Sequence, residues 1–180
     1  MKKMIYSVAC VVALACVAEA QQKTSPVAIA EGWVQDNSRN AAQLARESFI
    51  KADEVGEIGN GIIYLREVGL DEELTSLKEV VDLDAKMFTL NKTTVQVKDA
   101  GKIILADKKT TSLVKHVTGG SDAQFQAIAY IPEKGSVVTL TLATYSKEFF
   151  EDHLNDFNKM VSSYSKDVRL TPIVSEGNLD

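Results

Sequence analysis

Cysteine is nearly absent. The 180 residues hold two, Cys10 and Cys16, and both lie within the first 20. With that segment removed, disulfides, thiolate nucleophiles and cysteine-based zinc or iron–sulfur sites are excluded. Histidine is equally scarce: His116 and His153 stand 37 residues apart, and neither has a His-x-x-x-His or Glu-x-x-His partner. The spacing that places two imidazoles, or an imidazole and a carboxylate, on one metal is therefore missing. Basic residues are outnumbered, 20 against 25 acidic, and the sequence pI is near 5.1. Nucleic-acid binders usually show a basic face, so that class is excluded. Beyond residue 20 no apolar run approaches the roughly 20 residues that cross a bilayer. The 180 residues are 45% hydrophobic and 25% charged, with mean hydropathy −0.06, the composition of a soluble globular protein.

Residues 1–20 (MKKMIYSVACVVALACVAEA) read as an export signal. Lys2 and Lys3 form a cationic start, Ile5 to Val17 an apolar stretch, and Ala18-Glu19-Ala20 a small-residue cleavage site. The chain is thus expected to be exported, periplasmic or secreted, with residues 21–180 as a single domain. Without Lys2, Lys3 and Glu19 the balance becomes 18 basic against 24 acidic residues, a net of −6. The rival processing event is a lipid anchor at Cys16. A bacterial lipobox places leucine three residues before the cysteine, where this chain has Ala13.

The mature chain opens on a polar lead, Gln21 to Ser25, and a first strand and turn over Val27–Val34. Asn40–Ile50 is ambiguous: its alanines favour helix, whereas Ser48-Phe49-Ile50 alternates as a strand. The glycines at 56, 59 and 61 predict a turn, and Gly61–Val68 a strand. A helix capped by Asp71 should follow, with Leu74, Leu77 and Val81 as its apolar stripe. Thr93 to Tyr145 reads almost wholly as strand: Val95 and Val97, the run Ile103–Leu105, Thr110–Thr118 closing at Gly119-Gly120, Phe125–Ile131 stopping at Pro132, and Val137–Tyr145. Thr139 and Thr141 alternate with Val138, Leu140 and Leu142, which predicts one less buried face. The last helix carries the strongest signal. Ser146 is its cap, and Phe150, Leu154, Phe157, Val161 and Tyr164 step by four and three. A polar tail runs from Ser165, with one short strand expected over Val168–Val174. Hairpin-linked strands with few helices predict an α+β fold: an antiparallel sheet flanked by helices, an α/β/α sandwich.

Three stretches resemble a known family. Pro26 to Trp33 is similar to the opening strand and Gly-Trp turn of the PsbP-like superfamily, with Glu31 where the family has proline. Ile103 to Gly119, with Lys108-Lys109 before a strand, looks like its central strand–turn–strand element. Phe125 to Tyr164 matches its ending, two strands running into a helix of Phe-x-x-x-Leu-x-x-Phe-x-x-Met-Val-x-Ser type. The superfamily includes the extrinsic photosystem protein PsbP, Ran-binding Mog proteins and exported bacterial proteins of the DcrB type. The resemblance implies helices on both faces of the sheet and an accessory or binding role, and it implies no catalysis; a fold alone does not fix a function.

The chemistry agrees in its absences. There is no Gly-x-Ser-x-Gly elbow, and Gly119-Gly120-Ser121-Asp122 has the composition of a turn. The Gly56–Gly61 cluster lacks a Gly-Lys-Ser/Thr ending. Asp82 and Asp84 form an Asp-x-Asp pair without the further oxygens of a calcium loop. No catalytic, cofactor or metal residue is expected. Trp33, Phe88, Phe150 and Phe157 are the candidate ligand or partner surface. The leading expectation is a non-enzymatic accessory protein that binds another protein of the cell envelope. The alternative is a binder of a small apolar, lipid-like ligand held between sheet and helix. A hydrolase, the weakest reading, requires His116 or His153 to meet a serine and an acid.

Overall fold

The computed structural model describes residues 25–55, 59–90, 95–119 and 123–165. The signal, Cys16, the turn residues 56–58 and the expected strand over Val168–Val174 lie outside the described residues. The described residues form seven strands: β1 (Trp33–Gln35), β2 (Glu47–Lys51), β3 (Gly61–Gly69), β4 (Gln96–Ile104), β5 (Thr111–Thr118), β6 (Phe125–Glu133) and β7 (Ser136–Thr144). They make one sheet in the order β1-β2-β3-β7-β6-β5-β4, every neighbouring pair antiparallel. The helices are a short α1 (Asn40–Gln43), α2 (Leu77–Thr89) and α3 (Lys147–Ser162). The α+β sandwich expected from the sequence is thus the observed architecture. No helix among the described residues is long and apolar enough to cross a membrane.

The period of two along the strands sorts side chains into two layers. Phe49, Ile63, Leu65, Ala127, Ala129, Val138, Leu140 and Leu142 point to α3, where they meet Phe150, Phe157, Met160 and Val161. Val117, Ile128, Tyr130 and Val137 point the other way and meet Val80 and Val81 of α2. A third cluster, Ile50, Ile62, Ala123 and Ala143, lies on the α2 side toward β2.

Local chemistry explains where the elements begin. Ser146 caps α3 as expected, its Oγ accepting from the Phe149 N–H at 3.1 Å. Gly61 is required beside it, since a Cβ there would run into the Phe149 ring. The α2 expectation needs correction. Asp71 closes a turn instead, accepting from the N–H groups of Glu73 and Leu74 at 2.8 and 2.9 Å. The helix starts six residues later at Leu77, capped by Ser76, while Glu79 reaches back to the Thr75 N–H at 2.7 Å. This is a Ser-x-x-Glu capping box shifted back by one residue on the glutamate side. Asn40–Ile50 resolves into both alternatives: α1, then a left-handed Leu44 (φ 50°) that ends it, then β2.

Two strand expectations also change. β6 continues through Pro132 to Glu133, because past Tyr130 it is paired with β7 alone, a position where proline is tolerated. β7 has no less buried face: all nine residues are buried, Thr139 and Thr141 included. It is the central strand, with β3 on one side and β6 on the other. The outer edge at β4 is exposed along most of its length and carries Lys98, Asp99, Lys102 and a bulge at Gly101 (φ +99°). Charges and a bulge discourage the pairing of a foreign strand.

Candidate functional site

The four aromatic residues singled out from the sequence do not share one surface. Trp33, Phe150 and Phe157 lie in the α3-side core, whereas Phe88 packs in the α2-side cluster beyond the sheet. Trp33 is 4% exposed. Its Nε1 donates to Asp156 Oδ2 at 3.2 Å, and its ring stands edge-on to Phe149 and His153 at 6.2 and 5.5 Å. Phe150 is tilted against Phe125 at 6.1 Å and meets His116 edge-on at 5.3 Å. Phe157 is wholly buried.

Both histidines therefore sit among aromatic rings. His153 stacks on Phe149 at 4.2 Å, and its Nδ1 is buried without a partner. Burial pushes the His116 imidazole below its ordinary pKa. Among the described residues neither histidine is hydrogen-bonded to a serine or a carboxylate. Nor does any group of three His, Cys, Asp or Glu side chains able to hold a metal ion occur among them.

The sheet face toward α2 has a different chemistry. The strand period places Tyr64 and Arg66 of β3 on this face, beside their cross-strand partners Thr141 and Thr139 of β7. Ile128 and Tyr130 of β6 continue the two rows. The Tyr130 hydroxyl donates to Asp84 Oδ2 of α2 at 3.0 Å. Burial pushes the Asp84 carboxyl above the usual carboxylate range, against the pull of that hydrogen bond and of the Arg66 charge. Burial and the neighbouring Asp84 push the Tyr130 phenol up as well. Ser48 of β2, opposite Tyr64, is fully buried and its Oγ has no partner.

One flank of α2 borders this polar floor. At 100° per residue, Val80, Val81 and Asp84 share the inward side. Asp82 lies on the solvent side, paired with Lys78 at 2.5 Å, and Lys115 of β5 pairs with Asp99 at 2.5 Å. Leu83, Met87 and Leu90 share another flank of the helix and are 43%, 63% and 68% exposed.

Of these residues the sequence pointed only to Asp82 and Asp84, as an Asp-x-Asp pair, and to Thr139 and Thr141, as an alternating pair; Arg66, Tyr130 and the stripe of Leu83, Met87 and Leu90 were not singled out. Two signals were present in retrospect. Arg66 interrupts the inward alternation of β3, and residues 83, 87 and 90 form a second i, i+4, i+7 stripe beyond the one that packs.

No family model matches the chain, and no curated protein matches it. Among solved structures it is similar to cyanobacterial PsbP (CyanoP) from Synechocystis sp. PCC 6803, in solution. The identity is 14%, the likeness covers 74% of this chain and 81% of that chain, and the TM-score is 0.46. The α+β sandwich itself rests on the strands and helices described above.

Proposed function

We propose that the protein is a non-enzymatic accessory protein of the bacterial cell envelope, exported by its N-terminal signal, that binds a partner protein through the α2 side of its sheet. The observation that carries this reading is the stripe of Leu83, Met87 and Leu90. Three large apolar side chains on one helical flank are exposed among the described residues, and exposed contiguous apolar surface is a mark of interaction sites. The α3 side offers no comparable surface, because Phe157, Met160 and Val161 are consumed by the core.

A photo-reactive amino acid at position 87, compared with one at Asn155 on the exposed side of α3, tests the proposal in the native host. A discrete protein adduct from position 87 and none from 155 is the expected result. Adducts from 155 alone, or from neither, would overturn it.

A further inference from the structure

We propose that the tip of the β4–β5 hairpin docks on a membrane surface rich in anionic phospholipid, with Lys102, Lys108 and Lys109 meeting the head groups and Ile104 entering the interface. This surface lies on elements other than α2, so the proposal does not rest on the preceding reading.

Charge is unevenly spread along the chain. Residues 96–118, the two strands and their turn, carry five lysines against two aspartates, a net of +3. The rest of the chain has 15 basic and 23 acidic residues, a net of −8. Asp99 is taken by Lys115 at 2.5 Å. Asp107 is held within the turn, accepting from the N–H groups of Lys109 and Thr110 at 2.9 and 2.8 Å and from the Thr110 hydroxyl at 2.6 Å. Lys102, Lys108 and Lys109 are exposed and enter no ion pair among the described residues. The tip is therefore net positive.

Protection of the sheet edge accounts for the charges within β4, but Lys108 and Lys109 stand beyond the last ladder pair, Ile104 with Thr111. Lys108 is left-handed (φ 56°), a conformation free for glycine and strained for lysine. A glycine would form the same turn more easily; the lysine adds charge. Ile104 shares the α2-side face of β4 with Lys102 and is 61% exposed, whereas Ile103 and Leu105 on either side pack in the α3-side core. An apolar side chain placed between lysines matches the layers of a membrane interface, anionic outside and hydrocarbon beneath.

The type of cation favours lipid over an acidic protein. The hairpin has five lysines and no arginine. A guanidinium fork fixes one acceptor in one geometry, whereas ammonium groups act as point charges and suit a fluid layer of head groups. Acidic groups at the same end of the sheet stand apart. The strand order puts β3, and the acidic turn over 71–73 that follows it, three strand spacings or about 14 Å from β5. That exceeds the screening length of about 8 Å at physiological salt. Glu133, one strand from β5, accepts from the Tyr164 hydroxyl at 2.9 Å and is followed by the exposed Lys134.

Sedimentation with lipid vesicles, on protein purified from its own host, tests this. Saturable binding at low salt is expected to vesicles of equal parts phosphatidylglycerol and phosphatidylcholine, with none to phosphatidylcholine alone and release at about 0.5 M salt. Lys108→Gln with Lys109→Gln should weaken binding about tenfold or more, since each lysine near an anionic surface contributes roughly fivefold. Lys147→Glu changes net charge by the same amount at the start of α3, at the other end of the sheet, and should leave binding nearly unchanged. Ile104→Ser should weaken binding without altering its salt dependence. Lys108→Gly should weaken binding without lowering the unfolding temperature, a separation that a purely structural role would not give. Equal binding to both vesicles, no saturable binding to the mixed ones, or equal losses from the lysine pair and from Lys147→Glu would overturn the proposal. Binding to soluble polyglutamate as tight as to the mixed vesicles, and indifferent to Ile104→Ser, would assign the tip to an acidic protein and overturn it too. If the double variant fails to fold, Lys108→Gly carries the test, and unchanged binding there overturns it.

Discussion

The two faces of one sheet are packed with different chemistry. Toward α3 the contact is almost wholly apolar: Phe157, Met160 and Val161 reach zero exposure against Leu65, Leu140 and Leu142. Toward α2 only Val80 and Val81 are buried from the helix, and they share the interface with the Tyr130–Asp84 hydrogen bond, Arg66, Thr139 and Thr141. α3 is bound by the non-directional burial that dominates folding. α2 is held by fewer apolar atoms and a polar pair that needs its partners in place. The sandwich thus rests more heavily on its α3 side, and under the proposed function the α2 side is the one that meets a partner.

Core truncations should show the largest difference. Phe157→Ala should cost about 3–5 kcal/mol in denaturant unfolding, the range for a fully buried phenylalanine. Val80→Ala on α2 should cost about 1–2 kcal/mol, because fewer methyl groups leave a less enclosed site. Similar costs at the two positions would break the comparison.

The polar pair sharpens it. Tyr130→Phe leaves the partly buried Asp84 without its donor, and about 1–3 kcal/mol should be lost at neutral pH. Asp84→Asn keeps an acceptor and removes the buried charge, so it should be neutral or stabilising. The pH dependence has a definite sign. The folded Asp84 pKa is raised above its ordinary value, so the folded state binds more protons than the unfolded state between the two. Its contribution should therefore fall as pH rises through the folded pKa. Asp84→Asn should abolish that component of the stability–pH curve.

His116 supplies the matching test on the α3 side, with the opposite sign. Burial lowers its folded pKa below the ordinary imidazole value of about 6.5. The unfolded chain takes up the proton first, so stability is full above that pH and declines as pH falls through the folded pKa. In His116→Gln this acid-side decline should shrink measurably in urea titrations at stepped pH.

How much of this was legible in the sequence depends on the kind of residue. α3 could be read in full, because Ser146 and the Phe150–Tyr164 stripe are local signals and burial follows directly from them. The start of α2 was misread because Asp71 satisfies two N–H groups in a turn as readily as in a helix cap, and a first-turn acid pattern does not distinguish the two. The buried state of Thr139 and Thr141 could not be read, since it depends on β7 standing at the sheet centre, between strands distant in sequence. Trp33, Phe88, Phe150 and Phe157 were read together as one candidate surface, and only the topology separates Phe88 from the other three. Arg66 and Asp84 were invisible as a pair because strand order, and no spacing, brings β3 and β6 beneath α2.

The division between a structural face and a recognition face is tested most directly by the double substitution Leu83→Ser with Met87→Ser, read for stability and for cross-linking from a photo-reactive residue at position 90. The account predicts an unfolding free energy within about 0.5 kcal/mol of wild type, as for surface positions, together with loss of the protein adduct. A large fall in stability with the adduct retained would contradict it, and would make the α2 flank part of the core.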